Sequence, residues 1–117
     1  MIRNLTARVI RLYQPDRPNG LDDLDLGLKR TLDPAPQPAR IAPLPLVTAH
    51  QDDVPVELIE YRHVANLPAP LDGVWYVVPF EVALVLSARR TDILVTHDDV
   101  LSADGSVIGH RALAQPA

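Results

Sequence analysis

The chain has 117 residues, of which 47% are hydrophobic, and this size predicts a single domain (1–117) with a core of its own. Its net charge of −4 argues against DNA or an anionic membrane as a partner, because both attract a basic surface. The absence of cysteine excludes disulfides and thiol nucleophiles, and no apolar stretch reaches the roughly 20 residues of a membrane span, so we expect a cytoplasmic protein.

The first third of the chain is predicted to consist of short strands separated by turns. Residues 2–13 mix aliphatic side chains with arginines and predict a first strand, and Asn19-Gly20 marks the turn after it. Residues 21–32 fit both helical and strand spacing, and we favour a short strand. The proline-rich stretch 33–45 predicts extended chain, with a brief strand at Ala39-Arg40-Ile41.

A turn at residues 51–53 precedes the clearest alternating pattern in the sequence. Val54, Val56 and Leu58 fall on one face of a predicted strand. Glu57, Ile59 and Tyr61 fall on the other. The pattern is typical of a half-buried strand.

Residues 73–88 contain the longest apolar run and the only place where a strand leads directly into a helix. We predict a strand from Val74 to Val78 and a helix from Phe80 to Ala88, with Pro79 at the first helical position. This helix has almost no polar face. We therefore expect it to be enclosed by its own sheet or by a second copy of the chain.

The last third predicts a short strand at 93–95, a polar turn at 97–99, and a hairpin from Val100 to Leu113 around Asp104-Gly105. Combined with the earlier segments, this pattern predicts an α+β fold. It is a mostly antiparallel β-sheet with one buried apolar helix after the central strand.

No residue pattern predicts an enzyme or a cofactor. The serines lack the glycine-flanked turn of a hydrolase nucleophile. His97-Asp98-Asp99, with His110 as a further ligand that the hairpin could bring across, is the best metal candidate, but neighbours on a strand point to opposite faces. We therefore predict no metal site and no catalytic residues.

Arginines near the ends of predicted elements suggest a pocket for an anionic ligand. Guanidinium groups match phosphate oxygens in pairs, and an exposed aromatic ring can stack on a base. The alternative is that these arginines are solvated and the aromatic residue belongs to the core. The candidate ligand-binding residues are Arg40, Phe80, Arg89, Arg90 and Arg111.

The order of short motifs along nearly the whole chain resembles a group of small phage and prophage proteins. The motifs are Asn4-Leu5-Thr6, Ala39-Arg40-Ile41, Leu67-Pro68-Ala69-Pro70, Trp75-Tyr76-Val77-Val78, Arg90-Thr91-Asp92 and Asp104-Gly105-Ser106-Val107-Ile108. The group is similar to the anti-Thoeris sponge proteins, which bind cyclic ADP-ribose-type immune signals and sequester them without cleavage. The chain departs from the group at Ala7-Arg8, where the group has Pro-His, and at Pro79, where it has serine.

This resemblance implies a non-enzymatic binding protein in the cytoplasm of an infected or lysogenic bacterial host. It further implies a homo-oligomer with ligand pockets at subunit interfaces, where an aromatic residue stacks on adenine and arginines hold the phosphates. Phe80, Arg89, Arg90 and Arg111 fit those roles, with Arg40 next. The alternative is a phage or host accessory protein that acts through a protein–protein interface and has no small-molecule ligand.

Overall fold

The computed structural model describes all residues, 1–117, as ten strands and one helix. None of its helical structure has the length and apolar character needed to cross a bilayer. The elements in chain order are β1 (Ile2–Asn4), β2 (Ile10–Tyr13), β3 (Leu28–Leu32), β4 (Arg40–Ile41), β5 (Leu44–Gln51), β6 (Val54–Glu60), β7 (Val64–Ala65), β8 (Trp75–Val77), α1 (Phe80–Leu86), β9 (Ile93–Leu101) and β10 (Val107–Ala114).

The largest unit is a six-stranded sheet with the spatial order β1-β8-β9-β10-β2-β3. The pairs β1–β8, β8–β9 and β10–β2 are parallel, whereas β9–β10 and β2–β3 are antiparallel. Two further pairs, β4–β7 and β5–β6, are antiparallel two-stranded sheets. The longest ladders are antiparallel, and the predicted α+β fold with a mostly antiparallel sheet and one helix is confirmed.

The predicted central strand and helix organise the core. Alternation along β8 sends Tyr76 to one face of the sheet and Val77 to the other. On the first face, Tyr76 packs with Val82, Ala83 and Leu86 of α1, all of which are buried. The sheet is therefore covered by the helix on one side, and a smaller apolar cluster around Val77 lies on the other.

The helix is shorter than its sequence predicts, and its own sheet encloses only one side of it. Pro79 lies one residue before the helix, at the N-cap position, with φ −57° and ψ 148°. Only one side of α1 is buried. Phe80 and Leu84, one turn apart on the other side, are 62% and 60% exposed.

The prediction of a single first strand over residues 2–13 is wrong, because Asn4 turns the chain. Its buried side chain donates to the carbonyl oxygens of Arg8 (2.7 Å) and Leu32 (3.0 Å) and accepts a hydrogen bond from the Thr6 N–H (2.9 Å). These bonds fold the segment after Asn4 into a loop. As a result β1 and β2 lie apart in the sheet, with three strands between them.

Residues 21–32 are a strand only over their last part, Leu28–Leu32. The segment before it forms a loop around the buried side chain of Arg17. The Arg17 guanidinium donates to the carbonyl oxygens of Pro18 (2.8 Å) and Asp23 (2.8 Å). Within the acidic stretch, the carbonyl oxygens of Asp23 and, at 3.4 Å, of Leu21 are bound to Arg17 rather than to a neighbouring strand.

The predicted polar turn at 97–99 is also wrong, because β9 continues through it to Leu101. Within the ladder, His97 lies opposite Ala112 and Asp99 lies opposite His110. Cross-strand pairing with β10 therefore outweighs the turn propensity of the two aspartates. The predicted hairpin around Asp104-Gly105 is confirmed.

Strands β5 and β6 form a hairpin that projects from the sheet, which we call the ribbon (residues 44–60). The predicted turn is confirmed at Asp52 and Asp53, whose φ angles of 51° and 62° fit a type I′ hairpin turn. The expected half-burial of β6 is wrong, because most side chains of both strands are exposed. The projecting ribbon contributes to a radius of gyration of 17.7 Å, against about 13 Å for a compact chain of this length.

Candidate anion-binding site

Three arginines and one histidine meet beyond the C-terminal end of α1. Arg62 and His63 lie between β6 and β7, and Arg89 and Arg90 follow the helix. With an aliphatic floor they surround a cavity of about 300 Å³, which we call the arginine pocket. Its lining residues are Arg62, His63, Val64, Leu67, Leu86, Arg89 and Arg90.

The end of the helix positions two of these side chains. Leu86 is buried against the sheet, and its carbonyl oxygen accepts hydrogen bonds from the backbone N–H groups of Arg89 (2.8 Å) and Arg90 (3.0 Å). The chain therefore turns immediately after α1. This turn places both arginines at the edge of the pocket, where their positive charge also suits the negative end of the helix dipole.

Arg90 is fixed by a carboxylate. Its Nε and Nη2 atoms each lie 2.8 Å from an oxygen of Asp92, and Nη2 also donates to the Pro68 carbonyl oxygen at 3.1 Å. This two-point bond lowers the pKa of Asp92 and raises the pKa of Arg90. Arg90 thus contributes shape and rigidity to the pocket, while much of its charge is balanced.

The other polar side chains of the pocket retain free hydrogen-bond donors. Arg89 uses only Nη2, which donates to the carbonyl oxygens of Arg62 (3.0 Å) and Val85 (3.2 Å). The Arg62 guanidinium and the His63 ring bind no protein atom, and neither is near enough to a carboxylate to form an ion pair. The pocket therefore offers unpaired N–H groups to an anion.

A second cavity, of about 520 Å³, adjoins the arginine pocket and shares Arg62 with it. Tyr61 lines this cavity, and the residue is 55% exposed. Arg62 is the one arginine of this cavity, and Glu60 also lines it, so the Tyr61 ring suits a planar base while phosphates belong with the arginines of the arginine pocket. Sequence reasoning placed this aromatic role on Phe80.

The structure brings together only two of the five residues predicted from the sequence. Arg89 and Arg90 share the arginine pocket. Arg40 lies on β4 opposite Ala65 of β7, exposed and outside the pocket lining. Phe80 begins α1, six residues before Leu86, and is therefore separated from it by about 9 Å along the helix axis.

Arg111, the fifth predicted residue, lies on β10 and is bound to the protein through all five of its N–H groups. Nε and Nη2 donate to the Arg17 carbonyl oxygen, at 2.9 Å and 2.6 Å. Nη2 also donates to Asn19, and Nη1 donates to the side chain of Asp98 and the carbonyl oxygen of Asp99. A phosphate at Arg111 would have to replace one of these bonds.

Sequence reasoning named neither Arg62 nor His63 as a ligand-binding residue. The available signal was the run Tyr61-Arg62-His63 directly after a predicted strand, where side chains often line a cavity. Arg62 and Arg89 are 27 positions apart, and their contact depends on how β7 and α1 pack. No spacing rule links such positions.

The possible metal ligands do not converge. His110 Nδ1 lies 3.0 Å from an Asp99 oxygen, and this is a pairwise contact across the β9–β10 ladder. No three or more histidine or carboxylate side chains are placed to hold a metal ion together.

The chain matches no protein-family model, no curated protein and no solved structure. The fold and pocket define an α+β protein with a cationic cavity in an otherwise acidic chain.

Proposed function

We propose that the protein binds a small phosphorylated molecule in the arginine pocket and sequesters it without cleaving it. The observation that carries the proposal is the convergence of Arg62, His63 and Arg89, with free donors, in a chain of net charge −4. The motif resemblance suggests a cyclic ADP-ribose-type or related cyclic nucleotide immune signal as the ligand. The site of action would then be the cytoplasm of an infected or lysogenic bacterial host.

The chemistry of the pocket supports binding rather than catalysis. Its lining has no serine, threonine, cysteine or carboxylate, so His63 has no nucleophile to activate and no carboxylate to orient it. Cations alone stabilise a bound phosphate. Proton transfer would fall to His63 alone, with no second acid or base beside it in the lining.

The two adjoining cavities suggest how a nucleotide is held. Arg62 and Arg89 would take phosphate oxygens, while Tyr61 stacks on the base in the neighbouring cavity. The arginine pocket, at about 300 Å³, is at the small end of ligand sites, so the base would lie outside it, in the cavity of about 520 Å³ on the other side of Arg62. Arg90 positions the wall through its bond to Asp92.

A sequestering protein acts by stoichiometry. It lowers the free concentration of a signal only when its own concentration is comparable and the complex dissociates slowly. Tight binding with slow release is therefore the property to measure.

Isothermal titration with cyclic ADP-ribose isomers and with cyclic di- and trinucleotides tests the proposal, followed by heating and mass analysis of the released ligand. We expect one class to bind and to return unchanged. Arg62→Ala and Arg89→Ala should each weaken binding about 10- to 100-fold, as expected for a lost charge-assisted hydrogen bond. Arg30→Ala, an exposed arginine on β3 without side-chain hydrogen bonds, is the matched control.

Two results would reject this function. One is the absence of heat with every member of the panel, and the other is wild-type affinity in both pocket variants. The second candidate function is an accessory protein that acts through a protein–protein interface without a ligand. It is favoured by the exposed apolar surface of the ribbon.

A further inference from the structure

A further polar cavity lies between the loop after β1, strand β2 and strand β10. Its volume is about 720 Å³, and no residue of its lining belongs to the arginine pocket or to the adjoining cavity of Tyr61. We call it the sheet cavity. The proposed function uses none of its side chains. Its polar lining residues are Thr6, Arg8, Arg11, Thr96 and His110.

The sheet cavity contains two arginines whose charges are not balanced by a carboxylate. Arg8 lies in the loop after β1 and Arg11 lies on β2, and neither guanidinium is hydrogen-bonded to the protein or within ion-pair distance of a carboxylate. The chain has 15 aspartate and glutamate residues, yet none of them lines this cavity. Unpaired guanidinium groups in a wall without carboxylates favour an anionic ligand.

The backbone of each arginine is fixed while its guanidinium stays free. The carbonyl oxygen of Arg8 accepts hydrogen bonds from the side chains of Asn4 (2.7 Å) and Thr6 (3.1 Å). Arg11 lies opposite Thr31 in the β2–β3 ladder. Since neither backbone has to be ordered when a ligand binds, the entropy cost of ordering the protein is limited to the two side chains.

His110 adds an imidazole ring to the wall of the sheet cavity. Its Nδ1 atom lies 3.0 Å from an oxygen of Asp99, and its side chain is only 17% exposed. Asp99 therefore fixes the orientation of the ring, although Asp99 itself is outside the lining. The other ring nitrogen, Nε2, has no partner in the protein and becomes a donor when the ring is protonated. His110 is thus a third positioned group for the head of an anion.

The rest of the lining is mainly aliphatic. Val9, Leu24 and Val107 are 41%, 39% and 53% exposed, so part of this aliphatic surface lies in water. No aromatic side chain lines the cavity, and a nucleotide base would find no ring on which to stack. The cavity thus combines free cationic groups with an aliphatic bed. The aliphatic lining residues are Ala7, Val9, Ile10, Leu24, Val107 and Ile108.

We propose that the sheet cavity binds an aliphatic organic anion. Arg8 and Arg11 hold its carboxylate or phosphate head group beside His110, and its hydrocarbon chain covers Val9 and Val107. The guanidinium groups select the charge of the head group, and burial of the exposed aliphatic surface stabilises the hydrocarbon chain. A volume of about 720 Å³ lies within the usual range of small-molecule sites. This site is additional to the proposed function and does not depend on it.

Isothermal titration with octanoate, octyl phosphate, acetate and octan-1-ol tests the proposal. Octanoate and octyl phosphate are long-chain anions with the two head groups, acetate has a head group without the chain, and octan-1-ol has the chain without a charge. We expect at least one long-chain anion to bind with a dissociation constant below about 1 mM. Acetate and octan-1-ol should bind at least about tenfold more weakly. The tighter of the two long-chain anions identifies the head group.

Two pairs of variants place the ligand in the sheet cavity. Arg11→Gln should weaken binding of the tighter anion about 10- to 100-fold, because it removes a charge-assisted hydrogen bond. Arg30 is exposed on β3 and outside the lining, so Arg30→Gln should leave the affinity within about twofold. Val107→Asp places a carboxylate in the wall and should weaken binding at least about tenfold more than Val107→Asn, which has nearly the same shape. Circular dichroism should show all four variants folded.

Three results would overturn the proposal. They are the binding of neither long-chain anion below about 1 mM, equal affinity for octan-1-ol and the anions, and equal effects of Arg11→Gln and Arg30→Gln. None of these titrations uses a nucleotide, so the proposed function stands or falls separately.

Discussion

The guanidinium of Arg111 donates two hydrogen bonds to one backbone carbonyl oxygen, that of Arg17, across 94 positions of sequence. Arg17 is itself buried, and its guanidinium lies 5.3 Å from the centre of the Tyr13 ring. Two cations therefore fasten the loop between β2 and β3 to the sheet. Arg111 binds the loop from β10, and Arg17 lies within the loop.

Replacing Arg111 should lower stability more than replacing an exposed arginine. Arg111→Ala leaves the Arg17 carbonyl oxygen without its partner and removes one of the two hydrogen bonds to Asn19 Oδ1, and we expect the free energy of unfolding to fall by about 2–3 kcal/mol. Arg30→Ala, on the surface of β3, should change it by less than about 0.5 kcal/mol. Urea unfolding followed by circular dichroism measures both. Equal values for the two variants would show that Arg111 is not a structural residue.

The Arg90–Asp92 pair should give the protein a specific sensitivity to acid. The bond to Arg90 lowers the pKa of Asp92, so its stabilising contribution is present above the ordinary carboxyl value of 3.8 and is lost as pH falls through the lowered pKa. Asp92→Asn should cost about 1 kcal/mol at pH 7, since both side chains keep some contact with water. Unfolding curves at pH 7, 4 and 2.5 measure this. If the free energies of unfolding of Asp92→Asn and wild type differ by the same amount at pH 7 and at pH 2.5, the ionised Asp92 does not stabilise the protein through Arg90.

The turn of the β9–β10 hairpin contains an unusually acidic carboxyl group. A hydrogen bond from the Ser102 hydroxyl, helped by the Ser106 N–H, lowers the pKa of Asp104 from 3.8 to about 2. Ser102→Ala should raise this pKa towards 3.8. Carbon-13 NMR of the Asp104 carboxyl between pH 1.5 and 5 follows the shift. An unchanged midpoint in Ser102→Ala would mean that the hydroxyl has no part in it.

Gly109 is required by close packing rather than by its backbone angles. A methyl group there would overlap the Tyr13 ring and lie 2.6 Å from the Arg11 carbonyl oxygen. Gly109→Ala should therefore destabilise the protein by about 3 kcal/mol. Gly73→Ala is the comparison that separates steric overlap from backbone strain, because Gly73 has open space around it but a φ of 73°. We expect Gly73→Ala to lower the free energy of unfolding by about 1 kcal/mol. Thermal unfolding of both variants checks the order, and an equal or smaller loss at Gly109 would refute it.

Local signals in the sequence were enough to predict the elements that depend on them. The strand at Trp75–Val77, the helix after Pro79 and the turn at Asp104-Gly105 each follow from apolar runs or turn residues. The split between β1 and β2 was not predictable, because it depends on a bond from Asn4 to the distant carbonyl of Leu32. Such a bond exists only once β2 and β3 have paired.

The candidate site was less predictable than the fold for the same reason. Arg89 and Arg90 were found because they follow a helix, which is a local signal. Arg62 enters the pocket through a contact 27 positions away, and Arg111 is bound to a loop 94 positions away. A list of arginines from the sequence cannot distinguish those with free donors from those already bound.

The position of β10 in the sheet has a consequence for how the chain folds during synthesis. In the strand order, β10 lies between β9 and β2, and it is the strand that joins the group β1-β8-β9 to the pair β2–β3. The sheet cannot be completed until Val107–Ala114 has left the ribosome, although β2 was made near the beginning. Translation at roughly 5–20 residues per second leaves the early strands waiting for several seconds, when their unpaired edges are open to chaperones or to aggregation.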